Sequence, residues 1–228
     1  MTTSTEEPLL LSWSGGKDCA LALYQLLQDG FSVASLLTTV TEDYDRISMH
    51  GVRRSLLLKQ AEALQLPLRE VEIPPNASNE IYEARMGEAF REIARKGTRQ
   101  VVFGDVFLED IRAYRENLVA PYDLEAVFPL WQRDTTELAR WFIESGFRAR
   151  IVCVDTEQLS ASFAGRDYDD ELLSDLPSEA DPCGENGEFH TFVYDGPTFK
   201  ERIAHQTGEV VLRDDRFAFC DLLPGDVV

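Results

Sequence analysis

Positive charge is scarce in this chain. Its 228 residues carry 22 Lys and Arg against 41 Asp and Glu, with three His, for a formal net charge of -19. The deficit is uneven: residues 151–228 hold 18 acidic side chains against 5 basic ones. Proteins that grip nucleic acid neutralise phosphates with Lys and Arg, so this balance counts against a large nucleic-acid partner. The acidity fits simple solubility or salt adaptation as well as it fits a cationic partner. Cysteine is sparse too. Cys19, Cys153, Cys183 and Cys220 include no Cys-x-x-Cys pair, which argues against a zinc ribbon and for a reducing compartment. Met1 to Pro8 lacks the basic start and apolar centre of a signal peptide, and no apolar run approaches a membrane span. The expectation is a soluble, cytoplasmic protein with no membrane partner. A chain of this length suits one domain, or one with a smaller second part, and can bury roughly 70% of its unfolded surface without metal or disulfide. There is no internal repeat and no low-complexity tract.

Two common nucleotide motifs are also missing. Neither Gly-x-x-x-x-Gly-Lys-Ser/Thr nor Gly-x-Gly-x-x-Gly occurs. What stands instead is Ser14-Gly15-Gly16-Lys17-Asp18, between the apolar run Leu9 to Trp13 and a helical pattern at Ala20, Leu23, Tyr24 and Leu27. A strand-to-helix turn aims successive backbone N–H groups at one point, and the helix N-terminus adds partial positive charge. Two glycines let a phosphate chain approach the backbone. Lys17 adds a full charge, expected on an exposed loop. The alternative is a tight turn whose polar residues merely cap a helix. The stretch resembles the PP-loop of the ATP pyrophosphatase superfamily, Ser-Gly-Gly-x-Asp-Ser, whose members split ATP between its α and β phosphates. Cys19 replaces the last Ser of that pattern, and a thiol is a weaker donor.

Further along, Val33–Val40, Leu68–Ile73, Gln100–Phe103, Ala126–Leu130 and Arg148–Asp155 read as strands, alternating with helical faces that include Leu57, Ala61 and Leu64, and Tyr82 to Ile93. Asp134 with Glu137 resembles a capping box. A last helix is expected near Phe199–His205. Such alternation predicts an α/β fold: a doubly wound, mainly parallel sheet of five to six strands, with right-handed crossovers and a small C-terminal extension. Regular alternation fades near Asp155, giving an ATP-binding part over 1–155 and an acidic part over 156–228 that completes the site. Ligands in such sheets lie beyond the carboxyl ends of the strands, where strand order reverses. The turns at Ser14–Asp18 and Gly104-Asp105 share that edge.

Three further clusters carry chemistry-bearing side chains. Asp105 and Glu109 could hold magnesium, which takes carboxylates plus phosphates and waters, with Arg112 and Arg115 offsetting the charge of departing pyrophosphate. The plainer reading is a solvated helix with an internal ion pair. Asp181 to Thr191 packs carboxylates, Asn186 and His190 between Gly184 and Gly187, a loop presenting polar groups or else an acidic surface turn. The third cluster is the loop from Arg46 to Arg54 with His50, a lone histidine of the kind that is usually structural.

These clusters carry a narrower resemblance. Asp-Pro-Cys-Gly-Glu-Asn-Gly-Glu-Phe-His-Thr-Phe from Asp181, Met49-His50-Gly51, the stretch from Gly104-Asp105 through Glu116, and Pro129-Leu130-Trp131 occur in the order of the diphthine–ammonia ligase family, a PP-loop branch. The likeness runs from about Leu9 to Lys200. It implies the nucleotide-binding fold shared by PP-loop enzymes. It also implies an ATP-dependent ligase that adenylates a carboxylate and passes it to ammonium, releasing AMP and pyrophosphate. The acceptor would be diphthine on a translation elongation factor, or another carboxylate-bearing molecule. By the same likeness Ser14, Gly15, Gly16, Lys17, Asp18 and Cys19 bind phosphates, and Thr38, Thr39 and His50 lie near the adenosine. Gly104 and Asp105 also face the nucleotide, and Asp18 and Asp105 hold Mg2+. Glu109, Arg112, Glu185, Glu188 and His190 face the acyl-adenylate, with Glu188 able to take a proton from ammonium. Two rivals are a tRNA-modifying PP-loop enzyme, which calls for a basic face, and a non-catalytic ATP sensor, which does not need the Gly184–Thr191 cluster. A homodimer is left open.

Overall fold

The computed structural model describes residues 8–41, 46–47 and 51–225. In chain order the strands are β1 (Leu9–Ser12), β2 (Val33–Thr41), β3 (Arg46–Ile47), β4 (Leu68–Ile73), β5 (Gln100–Val102), β6 (Glu125–Val127), β7 (Arg148–Asp155), β8 (Phe189–Asp195), β9 (His205–Arg213) and β10 (Phe217–Pro224). The α-helices are α1 (Lys17–Gln28), α2 (Arg54–Leu64), α3 (Asn79–Arg95), α4 (Glu109–Val119), α5 (Thr135–Glu144) and α6 (Asp170–Asp175).

Five strands pair in parallel, β4 and β1 flanking β2, then β5 and β6 beyond β1, while β3 runs antiparallel to the end of β2. Strand order therefore reverses at β1, the strand that leads into Ser14–Asp18. Successive β1 side chains point to opposite faces of the sheet. Leu10 joins Phe90, Ile93 and Leu118 of α3 and α4 in one apolar layer. Leu9 and Leu11 join α1, α2 and α5 in the other. Because both of its faces are covered, β1 reads as an apolar run without alternation, whereas the edge strand β4 alternates apolar and charged residues.

The expected sixth strand lies elsewhere. β7 pairs antiparallel with β8 and β10, and with β9 they form a four-stranded sheet in the order β8-β7-β10-β9. The sequence boundary near Asp155 thus falls at the end of β7, inside this second sheet. Ile151, Val154, Phe192 and Ala218 belong to the same apolar layer as α1 and α2, so the second sheet packs on that side of the first. Strand β8 was not expected, since five of its seven residues are buried and period-two alternation is absent. The helix expected near Phe199–His205 does not form. That segment spends its backbone donors on distant carbonyls, Lys200 N–H on Ala63 and Ile203 N–H on Tyr194, each 2.8 Å, and His205 opens β9.

One side chain ties the two sheets together at the phosphate loop. Gln60 of α2 is fully buried. Its Oε1 accepts from Trp13 Nε1 at 2.9 Å, and its Nε2 donates to Gly15 O at 3.0 Å and Val193 O at 2.6 Å. Val193 N–H in turn donates to Gly15 O at 2.9 Å. Gly15 has φ +82°, and a Cβ there would stand 2.7 Å from Gln60 Oε1, so only glycine fits. Replacing Gln60 by Leu keeps the volume but strands one buried donor and takes a partner from two carbonyls. At about 1–3 kcal/mol for each unsatisfied group, Gln60→Leu is expected to cost several kcal/mol in urea-induced unfolding. A variant within about 0.5 kcal/mol of the parent, the range of a neutral surface change, would refute this role.

Candidate active site

The cleft lies at the reversal point, between the phosphate loop, the end of β5 and the segment leading into β8. Its cavity volume is about 180 Å³. Lys17 is its most constrained member. It is the first residue of α1 and, contrary to an exposed loop charge, is 2% exposed. Its N–H donates to Thr191 Oγ1 at 3.0 Å and its Nζ stands 2.6 Å from Asp18 Oδ1. Burial alone would lower its pKa. The negative charge of Asp18, with Glu185 also near, outweighs that and holds Lys17 above its ordinary range. The Phe189 ring closes one side, its centroid 6.0 Å from Nζ. The result is a permanent cation, shielded from water and facing a cavity.

Gly104, just past β5, makes this packing feasible. A Cβ on it would lie 2.9 Å from the Asp18 carbonyl carbon and 3.0 Å from Cys19 N. Glycine therefore lets the end of β5 lie against the start of α1, which brings Asp105 into the cleft beside Asp18. Burial raises the Asp105 pKa, opposed by Arg115, whose Nε is 3.6 Å away.

The opposite wall is the loop from Asp181 to Glu188, held by its own polar groups. Asp181 Oδ1 accepts from Cys183 N–H at 2.8 Å, and Oδ2 accepts from Thr135 Oγ1 at 2.7 Å, which fastens the loop to α5. Tyr168 donates to Pro182 O at 2.6 Å. Gly184 takes φ +69°, where a Cβ would meet Phe189 O at 2.8 Å. Glu188 is 2% exposed and accepts from Asp181 N–H at 2.8 Å, Asn186 N–H at 3.0 Å and Asn186 Nδ2 at 3.1 Å. Glu185 instead lines the cleft. Its pKa is pushed up to about 7 by burial and by the negative charge of Asp18, with Lys17 opposing. His190 also lines the cleft, and burial, then Lys17, lower its pKa.

Residues 9–121 match the model of the diphthamide synthase N-terminal domain and residues 134–221 that of the diphthamide synthase C-terminal domain. The chain belongs to the diphthamide synthase family. Relatives named diphthine–ammonia ligase align over most of it. The Schizosaccharomyces pombe protein is 29% identical over 217 residues, covering 87% of this chain and 36% of its own length. The Homo sapiens protein is 27% identical over 90% of this chain and 85% of its own length, and that of Danio rerio 28% over 90% and 89%. The chain thus spans about a third of the yeast relative and most of the two vertebrate ones.

In this diphthamide synthase family member the cleft gathers Ser14, Lys17, Asp18, Asp105, Glu185 and His190 from the expected set. Gly15 and Gly16 are not among the residues that line it. Cys19 is buried, its Sγ donating to Gly16 O at 3.0 Å, and burial pushes its thiol up to about 11. Glu109 and Arg112 sit on α4 outside the cleft lining. There Arg112 pairs with Glu116 at 2.8 Å and lies over the Trp131 and Phe128 rings, at 4.8 and 5.2 Å. Thr38 and Thr39 lie on β2, and Thr38 Oγ1 is buried without a hydrogen-bond partner among the described residues. His50 and Met49 lie outside the described residues. Gln60 gives no local signal in mid-helix. Cys183, Phe189 and Thr191, which in the sequence stand out only as members of a motif, all line the cleft.

Glu188→Gln tests whether this carboxylate orders the loop. A Gln cannot accept at both oxygens, so one donor, such as Asn186 N–H, would face an NH2 group. The expected loss is about 1–3 kcal/mol, or a melting temperature lower by roughly 2–4 °C per kcal/mol. Unchanged melting would show that the loop does not depend on these bonds.

Proposed function

We propose that this chain is an ATP-dependent, amide-forming ligase that adenylates a carboxylate and transfers the acyl group to ammonia, releasing AMP and pyrophosphate. The observation that carries this reading is the meeting of a buried phosphate-loop cation, Lys17, and a raised-pKa carboxylate, Glu185, in one cleft built from both sheets. The relatives' name, diphthine–ammonia ligase, makes diphthine on a translation elongation factor the first acceptor to consider. Any carboxylate-bearing acceptor meets the same chemistry. The net charge of -19 gives the tRNA-modifying reading no support.

An acceptor carboxylate oxygen attacks the α-phosphorus of ATP, and the bond to the bridging oxygen of pyrophosphate breaks. Ammonia then attacks the acyl carbon, and AMP leaves with the electron pair of the acyl–oxygen bond. Lys17 compensates phosphate charge in a site screened from water, where fixed charges act strongly. The loop N–H groups at the start of α1 add to it. Asp18 and Asp105 are the carboxylates that would hold Mg2+. Among the described residues no group of three or more ligating side chains is gathered, which fits an ion that takes one or two carboxylates and completes its shell with phosphates and water. Bound there, it supplies further charge neutralisation as pyrophosphate departs. Glu185 takes the proton from ammonium; its pKa near 7 suits a base at neutral pH. Glu188 then serves loop order, not proton transfer.

Pyrophosphate release with ATP and magnesium, measured with and without ammonium and a carboxylate acceptor, separates ligase from sensor. Ammonium-dependent AMP formation is the expected result, and ATP binding without turnover under every acceptor tried would favour the sensor. Glu185→Gln should lower turnover by about 10²-fold while leaving ATP affinity nearly unchanged. The parent rate should rise with pH through about 7, and that limb should vanish in the variant.

The same carboxyl leaves a mark on stability. Its folded pKa lies above the ordinary 4.5, so its stabilising share is full below that value and is lost as pH rises through about 7. Glu185→Gln should therefore melt higher than the parent at pH 8, with the gain gone at pH 4. Equal differences at both pH values would mean that Glu185 titrates normally.

A further inference from the structure

A second cavity, of about 190 Å³, lies toward the end of β8 that points away from the cleft. Arg150 of β7, Arg202 and His205 of β9 line it, and no carboxylate does. In a chain with 41 acidic side chains that is a local reversal of charge. The cleft is built differently, since Asp18, Asp105 and Glu185 line it alongside Lys17. Tyr194, on which the second cavity's side chains rest, lies four residues past His190, about 13 Å along a strand. The two sites are separate.

The buried Tyr194 ring supports two of the three groups. The Arg202 guanidinium stands 5.0 Å from its centroid and the His205 ring 4.7 Å. Arg202 is held by this aromatic face and has no ion pair among the described residues. Its charge is therefore not neutralised, and its N–H donors remain for a ligand. Arg150 donates Nη1 to Thr207 Oγ1 and Nη2 to Asp167 Oδ1, the latter at 2.8 Å, which fixes the plane of its guanidinium. Asp167 also accepts from the Tyr194 hydroxyl at 3.0 Å. Lys59 of α2 donates Nζ to the carbonyl of Gly225, another lining residue, at 3.2 Å. His205 Nδ1 lies 3.0 Å from Ile203 O. A carbonyl only accepts, so Nδ1 carries the hydrogen and Nε2 of the neutral ring is a bare acceptor. Burial first, then Arg150 and Arg202, lower the His205 pKa, opposed by the Ile203 bond and Asp167.

We propose that this cavity binds a phosphate-sized dianion, held between the guanidinium groups of Arg150 and Arg202 and touching His205. Planar guanidinium forks match oxyanions, and here two of them converge on one small volume. A phosphate, free or as a monoester, offers an oxygen to each of the three groups, which a carboxylate with two oxygens cannot do. Protonation of His205 Nε2 turns an acceptor that repels the anion into a donor, so binding takes up a proton from solvent. The chain's charge of -19 opposes approach at long range. At physiological salt that field is screened beyond about 8 Å, and the local cations decide.

Proton NMR of the full chain separates the two sites, because His205 reports the cavity and His190 the cleft. His205→Gln assigns the signal. Sulfate, which does not titrate near neutrality, and inorganic phosphate are added at constant ionic strength. Both should move the His205 resonance saturably and raise its pKa by about one unit, equivalent to about tenfold tighter binding to the charged ring. Arg202→Gln, at an exposed position, should weaken that response about tenfold or more, with circular dichroism and the His190 titration unchanged. AMP in place of phosphate distinguishes the sources: a shared response names a monoester, and one confined to phosphate names the free ion. A His205 pKa that neither sulfate nor phosphate moves would overturn the proposal. So would a response that chloride reproduces, or one that survives Arg202→Gln.

Discussion

The arrangement depends on one buried amide. Gln60 sits in α2, far from Trp13, Gly15 and Val193 in sequence, and satisfies a polar group on each. Its Nε2 bonds bind the phosphate loop of the parallel sheet to β8 of the antiparallel one. A buried polar network that is fully satisfied rigidifies its surroundings, whereas a half-satisfied one is worse than an apolar core. This one fixes Gly15 in a left-handed conformation and, through the adjoining Lys17–Thr191 bond, sets the start of α1 against the C-terminal motif. The site exists only where the two sheets are held together.

That junction also accounts for the charge pattern. A lysine 2% exposed would shed its proton in an apolar pocket. Here Asp18 keeps it charged, and the field of Asp18 in turn helps keep Glu185 partly protonated near neutrality. Cation and carboxylates tune one another because the same burial acts on all of them. The acidity of residues 151–228 has a local use as well: Asp181 and Glu188 spend their oxygens on backbone N–H groups of their own loop. Carboxylates that organise a loop and carboxylates that face a substrate look alike in sequence. What separates them is which atoms their oxygens touch.

Placement of Cys19 follows the same logic. Its position in the motif suggests a phosphate contact, but the thiol turns back on the preceding turn and into the core. A thiol is among the more easily buried side chains, so the serine-to-cysteine change suits packing beneath the loop. Arg112, expected beside the acyl-adenylate, instead lies across Trp131 and Phe128 on the outside of α4.

Local pattern determined much by itself. The strands from Leu9 to Val127 other than β3, which the sequence placed in a loop, the helices between them, the glycine turn, the cap at Asp134 and the parallel order implied by alternation are all short-range consequences of periodicity and turn chemistry. The motif at Asp181–Thr191 was legible as chemistry-bearing for the same reason. Tertiary structure alone decided which sheet β7 joined, since a buried apolar strand pairs equally well in either. It alone decided the burial of Lys17, and that Glu185 faces the cleft while Glu188 faces its own loop. It also turned Phe199–Ile203 from helix to extended chain, because Ala63 and Tyr194 offered their carbonyls. The bonds of Lys17 to Thr191 and of Lys200 to Ala63 join residues more than a hundred positions apart, and no window along the chain contains both members of such a pair.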